Sequence, residues 1–253
     1  MPTRRVIVGF SGGVTSAWCA GWALRHFPRD EVVLLFHDTK AEDADTYRFL
    51  NEMAARLQMP ITDRSDGRSL DQVFEDHNAI ANNRMGFCSE ELKQIPGKKF
   101  IRELQEHGVT EIVRVFGFSA NEGHRIQRQS AYSWQLSTLW CEVSARFPIA
   151  EEKVTKQDCA NWCSCTMGVS IPRIYEWSEH ANCVGCIKGG KNYWLAVKEN
   201  APEVYAHRKE QEQRYGCHLL NGFVSLTELE TSGVKRVVGH REPIEELPCE
   251  CGG

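Results

Sequence analysis

The feature that most constrains the fold is a short stretch near the N-terminus, residues 6–16, with the sequence VIVGFSGGVTS. An apolar run typical of a buried strand changes abruptly to Ser-Gly-Gly, and a helical pattern follows. Glycines permit a tight turn and let a ligand approach the main chain, while the free N–H groups and the dipole of the following helix attract anions. The stretch predicts a phosphate-binding loop formed by Ser11, Gly12, Gly13, Thr15 and Ser16. The alternative is an ordinary turn in which a serine caps the helix.

Strand-like and helical patterns alternate through the first half of the chain. Strand-like runs begin at Glu31, Ile61 and Thr110, and helical spacing covers residues 44–57 and 88–107, the latter with a likely break at Pro96 and Gly97. Such alternation predicts an α/β fold with a doubly wound, mostly parallel sheet that helices cover on both faces. Residues 127–147 fit neither pattern.

The length of 253 residues suffices for one large domain with a smaller addition. We expect residues 1–150 to form a nucleotide-binding α/β core. Residues 151–253 are expected to form a helical, cysteine-rich part that packs on this core as one unit, because capped helical segments and cysteines follow one another there.

The composition excludes several classes of protein. No apolar run approaches the length of a membrane span, and the N-terminal residues lack the apolar region of a signal peptide. We therefore expect a cytoplasmic protein that does not associate with membranes. The formal net charge of −4 does not indicate a general nucleic-acid binder, although it leaves a local basic patch open.

The chain contains 11 cysteines, an odd number and a high count for a cytoplasmic protein. Metal binding or redox chemistry explains them better than a disulfide scaffold does. Cys183 and Cys186 form a CxxC pair whose spacing suits zinc or an iron–sulfur cluster. Cys19 and Cys141 lie in apolar surroundings and are interpreted as packing residues.

Polar residues follow the predicted strands at three places, where an open parallel sheet binds its ligands. Besides the glycine loop, these are Asp38, Thr39 and Glu42 after the second strand, and the segment SANEGHR over residues 119–125. Arg125 suits a phosphate or sulfate because its planar fork binds oxyanions in pairs of hydrogen bonds; alternatively it forms a surface pair with Glu122. Asp38 is expected to contact a ribose, or Mg²⁺ through water, unless it caps a helix.

These motifs resemble the phosphoadenosine phosphosulfate (PAPS) reductase family of the adenine-nucleotide alpha-hydrolase superfamily, whose glycine loop is called the PP-loop. The matching segments, in order, are SGGVTS, DTKAE with Thr46-Tyr47, CSEELK with Pro96, GFSA with Glu122 and Arg125-Ile126, and NCVGCIKGG with Tyr193-Trp194. They extend from residue 6 to about residue 216. Two departures are Thr15, where the superfamily usually has aspartate, and Lys40, where a glycine is frequent.

The resemblance implies roles for particular residues. Lys93 and Arg125 would stabilise charge on the oxyanions of an adenine nucleotide, with Lys188 as a second candidate cation. A 4Fe–4S cluster, or zinc as the alternative, would be held by Cys88, Cys183, Cys186 and a fourth ligand. The leading candidates for the fourth ligand are Cys249 and Cys251, followed by Cys163 and Cys165 and then by Cys217. Cys251 also resembles the nucleophilic cysteine that sulfonucleotide reductases carry near the C-terminus, which implies a catalytic role.

Three functions are compatible with these features. The first is reduction of a sulfonucleotide, PAPS or its 3′-dephosphorylated form APS, with a thioredoxin-like reductant. The second is an ATP pyrophosphatase and sulfurtransferase that adenylates and thiolates tRNA or DNA with an iron–sulfur cluster, supplied by a cysteine desulfurase; the Ser-Gly-Gly loop supports this function and Thr15 weakens it. The third is a nucleotide- or zinc-binding protein without catalytic activity.

Overall fold

A five-stranded parallel sheet forms the centre of the computed structural model, which describes residues 3–82, 85–220 and 224–237. The strand order is β3-β2-β1-β4-β5. The strands are β1 (Arg4–Gly9), β2 (Val32–Phe36), β3 (Ile61–Asp63), β4 (Glu111–Val115) and β5 (Glu142–Arg146). This arrangement confirms the predicted doubly wound α/β fold. The chain order reverses between β1 and β4, which is where sheets of this kind bind ligands.

Helices cover both faces of the sheet and form most of the second half of the chain. They are α1 (Val14–His26), α2 (Ala44–Leu57), α3 (Leu70–Asp76), α4 (Phe87–Ser89), α5 (Ile95–Glu106), α6 (Gly123–Gln135), α7 (Pro148–Glu151), α8 (Lys156–Asn161), α9 (Lys191–Asn200), α10 (Pro202–Tyr215) and α11 (Leu226–Thr231). Within the described ranges, none of these helices has the length and apolar character that crossing a membrane requires.

Two segments differ from the sequence-based expectation. Residues 127–147, which fit no pattern, contain the end of α6 and the whole of β5. Strand β5 pairs only with β4 at the edge of the sheet, so it needs few apolar residues and has the polar sequence EVSAR. Pro96 lies in the first turn of α5, and the chain stays helical across the predicted break because a π-helical turn directly precedes this helix. The turn before it, Glu90–Gln94, is π-helical.

Three apolar clusters hold these elements together. The first fills one face of the sheet beneath α1 and α2 and includes Trp22 and Phe49. A smaller cluster on the opposite face joins β1, β4 and β5 to α5. The remaining cluster packs α3, α9, α10 and α11 around Trp194. Side chains from both sides of residue 150 contribute to the first cluster, since Ile149, Cys159 and Tyr175 belong to it.

We expect Gly12→Ala to destabilise the protein more than Gly108→Ala. Both glycines have a left-handed backbone, with φ of 81° and 82°. Alanine therefore costs about 1–2 kcal/mol at either position. At Gly12 a Cβ would also lie 2.4 Å from Cγ2 of Thr46, whereas nothing lies within 4 Å at Gly108. Overpacking adds about 1–3 kcal/mol at Gly12 only. Equilibrium unfolding in urea measures both losses, and equal losses would contradict the contact with Thr46.

Candidate functional site

A cavity of about 870 Å³ opens at the carboxyl ends of β1, β2 and β4. We call it the strand-end cavity. Residues from all three predicted motifs line it, although they are far apart in the sequence. Among the candidate residues, its wall contains Ser11, Gly13, Thr15, Ser16, Glu42, Lys93 and Arg125. The cavity thus combines the glycine loop with both candidate catalytic cations.

The glycine loop presents the N-terminus of α1 to this cavity. Ser16 ties the loop together: its hydroxyl accepts from the N–H of Ser11 at 3.2 Å and donates to the carbonyl of Gly13 at 2.8 Å. Gly13 is the N-cap of α1 and no side chain caps the helix, so the alternative of a serine cap is wrong. The N–H of Val14 donates to the Tyr175 hydroxyl at 3.1 Å. The next N–H groups of the first turn have no partner within a helix and are placed to bind an anion.

A second glycine keeps the loop against the end of β4. A Cβ on Gly117 would lie 2.9 Å from the Thr15 hydroxyl and 3.0 Å from its carbonyl carbon. Any larger residue would push the two segments apart. The glycine loop and the segment that carries Arg125 are therefore in direct contact.

Asp38 organises the turn after β2. Its carboxylate accepts from the Lys40 N–H at 2.7 Å and from the Tyr47 hydroxyl at 2.6 Å. It does not cap α2, because Asp43 does so by accepting from the N–H of Asp45. Lys40 has a left-handed backbone, with φ of 55°, which explains why glycine is frequent at this position in the family that the sequence resembles. Asp38 and Thr39 are not among the described residues that line the cavity, and their contact with a nucleotide stays a prediction.

The side chain of Glu42 connects the turn after β2 to Lys93 and to the thiol of Cys183. It is only 2% exposed. One carboxylate oxygen, Oε1, lies 3.2 Å from the Thr39 hydroxyl, 3.5 Å from Nζ of Lys93 and 3.6 Å from Sγ of Cys183. The other, Oε2, is buried and has no hydrogen-bond partner within the described residues. Thr39 and Cys183 are themselves 3.0 Å apart.

Lys93 stays protonated in this environment. Burial alone would lower its pKa, but Cys183 and Glu42 outweigh burial and raise the pKa well above its usual range. Its ammonium group therefore supplies a fixed positive charge at the wall of the strand-end cavity. This charge is what the predicted role in oxyanion stabilisation requires.

The three candidate ligand thiols of the helical region share one neighbourhood. Burial raises the pKa of Cys183 to about 12, although Lys93 opposes the shift. Burial also raises the pKa of Cys88, Cys186 adds to this, and Lys188 opposes it. Within residues 3–82, 85–220 and 224–237, however, no group of three or more His, Cys, Asp or Glu side chains is arranged to hold a metal. Cys249 and Cys251 lie outside the described residues.

The other cysteines have different environments. Cys19, Cys159 and Cys163 are fully buried in the first apolar cluster, and burial raises the pKa of Cys159 to about 12. Cys163 is a packing residue beneath α1, where its thiol lies 3.9 Å from the carbonyl oxygen of Val14. Cys141 is buried, as the interpretation as a packing residue requires, and Cys165 and Cys217 are partly exposed.

Arg125 and Glu122 form a pair at the rim of the strand-end cavity. Glu122 accepts from the N–H of Ser119 at 2.9 Å and from Arg125. The guanidinium lies 4.0 Å above the ring of Phe118, so its direction is fixed from two sides. The alternative interpretation, an ion pair between the two residues, is confirmed. Both residues also line the cavity, and binding of a phosphate or sulfate by Arg125 stays a prediction.

Sequence reasoning missed several residues of the cavity wall, namely Lys156, Tyr175, His180 and Asn182. Lys156 lies 4.7 Å above the ring of Tyr175. Burial lowers the pKa of His180, and Lys156 lowers it further, so the imidazole is neutral near pH 7. No local pattern signals these residues, since Tyr175 reaches the loop across 161 positions of sequence. The one available signal, the Thr155 cap, predicts only that a helix starts beside Lys156.

Comparison of the sequence with protein-family models gives no match, and comparison with curated proteins gives none either. The functional assignment therefore depends on the site itself and on the motifs that carry the resemblance.

We expect Glu122→Gln to destabilise the protein at pH 7 and to lose this effect in acid. Burial raises the pKa of Glu122, but its bonds to Ser119 and the charge of Arg125 lower it more strongly, below the usual 4.5. Its stabilisation is thus complete above pH 4.5 and disappears as the pH falls through the lowered pKa. The loss at pH 7 should be about 1 kcal/mol.

Urea unfolding of the wild type and of Glu122→Gln between pH 7 and pH 3 measures this difference in the free energy of unfolding. Glu106→Gln is the matched control, because Glu106 is exposed at the end of α5. If the free energy of unfolding of Glu122→Gln differs from that of the wild type by the same amount at every pH, the ion pair is contradicted.

Proposed function

We propose that the protein binds an adenine nucleotide in the strand-end cavity and acts at its α-phosphate or sulfate end, as an enzyme of sulfur metabolism. Reduction of a sulfonucleotide, PAPS or APS, is the first candidate reaction. One observation carries the proposal: the N-terminus of α1, Lys93 and Arg125 contribute positive charge to one cavity, whose wall also contains Glu42, the residue that contacts Cys183.

The size and lining of the cavity support a nucleotide. A volume of about 870 Å³ lies within the range of nucleotide-sized ligand sites. The loop offers backbone N–H groups together with the hydroxyl of Thr15, and glycine at position 13 leaves the main chain accessible. Phosphate groups against this loop would place the reacting end of the nucleotide between Lys93 and Arg125.

The two cations have complementary tasks in this proposal. Arg125, held by Glu122, binds oxyanion oxygens through paired hydrogen bonds. Lys93, held by Glu42, stabilises the negative charge that develops on the leaving phosphate oxygen. Both are oriented before substrate arrives, so little reorganisation is needed during the reaction.

The sulfur step of this reaction needs a thiolate nucleophile. The thiolate attacks the sulfate sulfur, a sulfur–sulfur bond forms, and the bond from that sulfur to the phosphate oxygen breaks with its electron pair leaving on the nucleotide. A thioredoxin-like dithiol then attacks the enzyme's cysteine sulfur and releases sulfite, and the dithiol becomes a disulfide. The resemblance assigns the nucleophile to Cys251, and this assignment stays a proposal.

A second candidate function, an ATP-dependent sulfurtransferase acting on tRNA or DNA, is favoured by the shared neighbourhood of Cys88, Cys183 and Cys186. The donor set suits a 4Fe–4S cluster, or zinc, because sulfur from cysteine side chains is the usual ligand of both. A cluster would supply electron transfer or a site for sulfide. The fourth ligand proposed is Cys249, and a cysteine desulfurase would provide the sulfur.

We expect Arg125→Gln to weaken nucleotide binding by about 10- to 100-fold, since a charge-assisted pair of hydrogen bonds is lost. Isothermal titration with ATP, APS and PAPS measures the affinity. Arg102→Gln, an exposed arginine on α5, is the control and should bind like the wild type.

Product analysis on the same samples separates the candidate reactions. Sulfite formed from APS or PAPS with a dithiol supports reduction, whereas AMP and pyrophosphate formed from ATP support the sulfurtransferase. Binding without turnover of any of the three supports the non-catalytic alternative. No binding by the wild type, or an unchanged Arg125→Gln variant, contradicts the proposed cavity.

We expect protein purified without oxygen to contain iron and sulfide in equal amounts and to absorb broadly in the visible range. Cys183→Ser should lose both the metal and the absorbance, because Cys183 is one of the proposed ligands. Cys141→Ser, which changes a buried cysteine of the cluster that joins β1, β4 and β5 to α5, should keep them. Stoichiometric zinc without iron would support the zinc alternative, and the absence of both metals would refute a metal site.

A further inference from the structure

The hydroxyl of Tyr175 reaches the glycine loop from the second half of the chain. Its oxygen accepts from the N–H of Val14, the first residue of α1, at 3.1 Å. A Cβ on Gly13 would lie 3.1 Å from the same oxygen, which is tighter than an ordinary contact, so glycine at position 13 lets the hydroxyl come this close. Tyr175 also lines the strand-end cavity. The hydroxyl therefore lies beside the loop residues that are proposed to bind phosphate.

The proton of this hydroxyl has no acceptor among the residues that the structure describes. The oxygen accepts from Val14, and the N–H of Ala181 also faces it. Since main-chain N–H groups only donate, these contacts occupy the lone pairs of the oxygen and leave its proton without a partner. The side chain is 7% exposed, and burial raises the pKa of Tyr175 above its usual range, so the hydroxyl stays protonated. A ligand oxygen in the cavity would accept this proton and satisfy a buried donor.

The surroundings of the hydroxyl make its proton a better donor. The N–H of Val14 belongs to the first turn of α1, where the helix dipole concentrates positive charge. Accepting a bond from this N–H polarises the hydroxyl, because hydrogen bonds in a chain strengthen one another. Lys156 lies 4.7 Å above the Tyr175 ring and lines the same cavity. The hydroxyl thus carries the donor character of the Val14 N–H one group further from the main chain.

The position of Tyr175 is fixed by contacts with α2. Tyr175 belongs to the 3₁₀ turn Arg173–Glu176. The N–H of Arg173 donates to the Asp45 carboxylate at 2.8 Å, and its guanidinium donates to the Asp43 carboxylate at 3.0 Å. Because the turn is already held in place, little conformational freedom is lost when the hydroxyl meets a ligand.

We propose that the Tyr175 hydroxyl donates a hydrogen bond to a phosphate oxygen of the nucleotide bound at the glycine loop. A phosphate suits this position, because the N-terminus of α1, the phenol proton and Lys156 all favour negative charge there. An uncharged acceptor would also satisfy the proton but would gain less from the helix dipole. The inference rests on the proposed function, since it names a further substrate-binding residue of the same cavity.

Isothermal titration of the wild type, Tyr175→Phe and Tyr205→Phe with adenosine, 5′-AMP and ATP tests this proposal. Phenylalanine keeps the buried ring and removes only the hydroxyl. Tyr205 is the matched control, because it is also buried and its hydroxyl also bonds the main chain, at the carbonyl of Leu226, but in a different apolar cluster. Adenosine carries no phosphate, so its affinity reports whether the rest of the site is intact.

We expect Tyr175→Phe to bind 5′-AMP or ATP about 10-fold more weakly than the wild type, because a hydrogen bond to a charged group is lost. Its affinity for adenosine should be unchanged, and Tyr205→Phe should bind all three ligands like the wild type. A merely structural role of Tyr175 would weaken the binding of adenosine and of the nucleotides alike. That result, or unchanged affinity of Tyr175→Phe for both nucleotides, would overturn the proposal.

A second variant separates donation by the hydroxyl from its bond to Val14. Replacing Tyr175 by 3-fluorotyrosine keeps the ring and the hydroxyl, but the more acidic hydroxyl is a stronger donor and a weaker acceptor. Donation to a phosphate therefore predicts tighter binding of the nucleotide than in the wild type, with the affinity for adenosine unchanged. Unchanged or weaker binding of the nucleotide would contradict donation by this hydroxyl.

Failure of the proposed function has a different signature. If the wild type binds neither 5′-AMP nor ATP nor adenosine, the proposed function fails, and titration of the free protein with inorganic pyrophosphate tests the hydroxyl alone. Weaker binding of pyrophosphate by Tyr175→Phe, but not by Tyr205→Phe, would support the inference. Equal binding by the two variants, or no binding of pyrophosphate by the wild type, would overturn it.

Discussion

The close approach of three backbone segments determines the geometry around the strand-end cavity. The loop after β1 packs against α2 at Gly12 and against the end of β4 at Gly117, and neither position has room for a Cβ. The close packing holds the start of α1 beside the carboxyl ends of β1 and β4, where the strand order reverses. Its free N–H groups and the Arg125 segment then face the same space. The proposed binding of an anion at this site therefore depends on this packing as much as on any single charged residue.

The buried carboxylate of Glu42 extends this arrangement to the second half of the chain. One oxygen contacts Lys93, 51 positions away, and Cys183, 141 positions away. A buried carboxylate with one unpartnered oxygen is costly for folding. What the contact provides is position: it holds an ammonium group and a thiol beside the cavity, and the negative charge keeps the lysine protonated. The unpartnered oxygen lowers the stability of the folded protein, while the contact positions reactive groups. This combination is common at functional sites.

The parts of the fold that depend on local sequence could be predicted. Helix α2 has the bounds that its apolar spacing indicates, and the cap at Thr155 starts α8 as expected. Strand β5 was not predicted, because an edge strand needs little apolar surface and the alternation in EVSAR depends on only two apolar residues, Val143 and Ala145. The same limit applies to the site. Ser11 and Arg125 belong to motifs, whereas Tyr175 joins the loop only through a tertiary contact that no sequence spacing encodes.

Local charge and net charge give opposite indications in this protein. The chain as a whole has a formal net charge of −4, which does not favour anionic partners. At the strand-end cavity, however, Glu42 and Glu122 are each bonded to a cation. Charges more than about 10 Å apart are largely screened at physiological salt, so a ligand inside this cavity would experience the nearby cations rather than the distant surface. The sign of the cavity walls, and not the sum over the sequence, determines which ligands this fold admits.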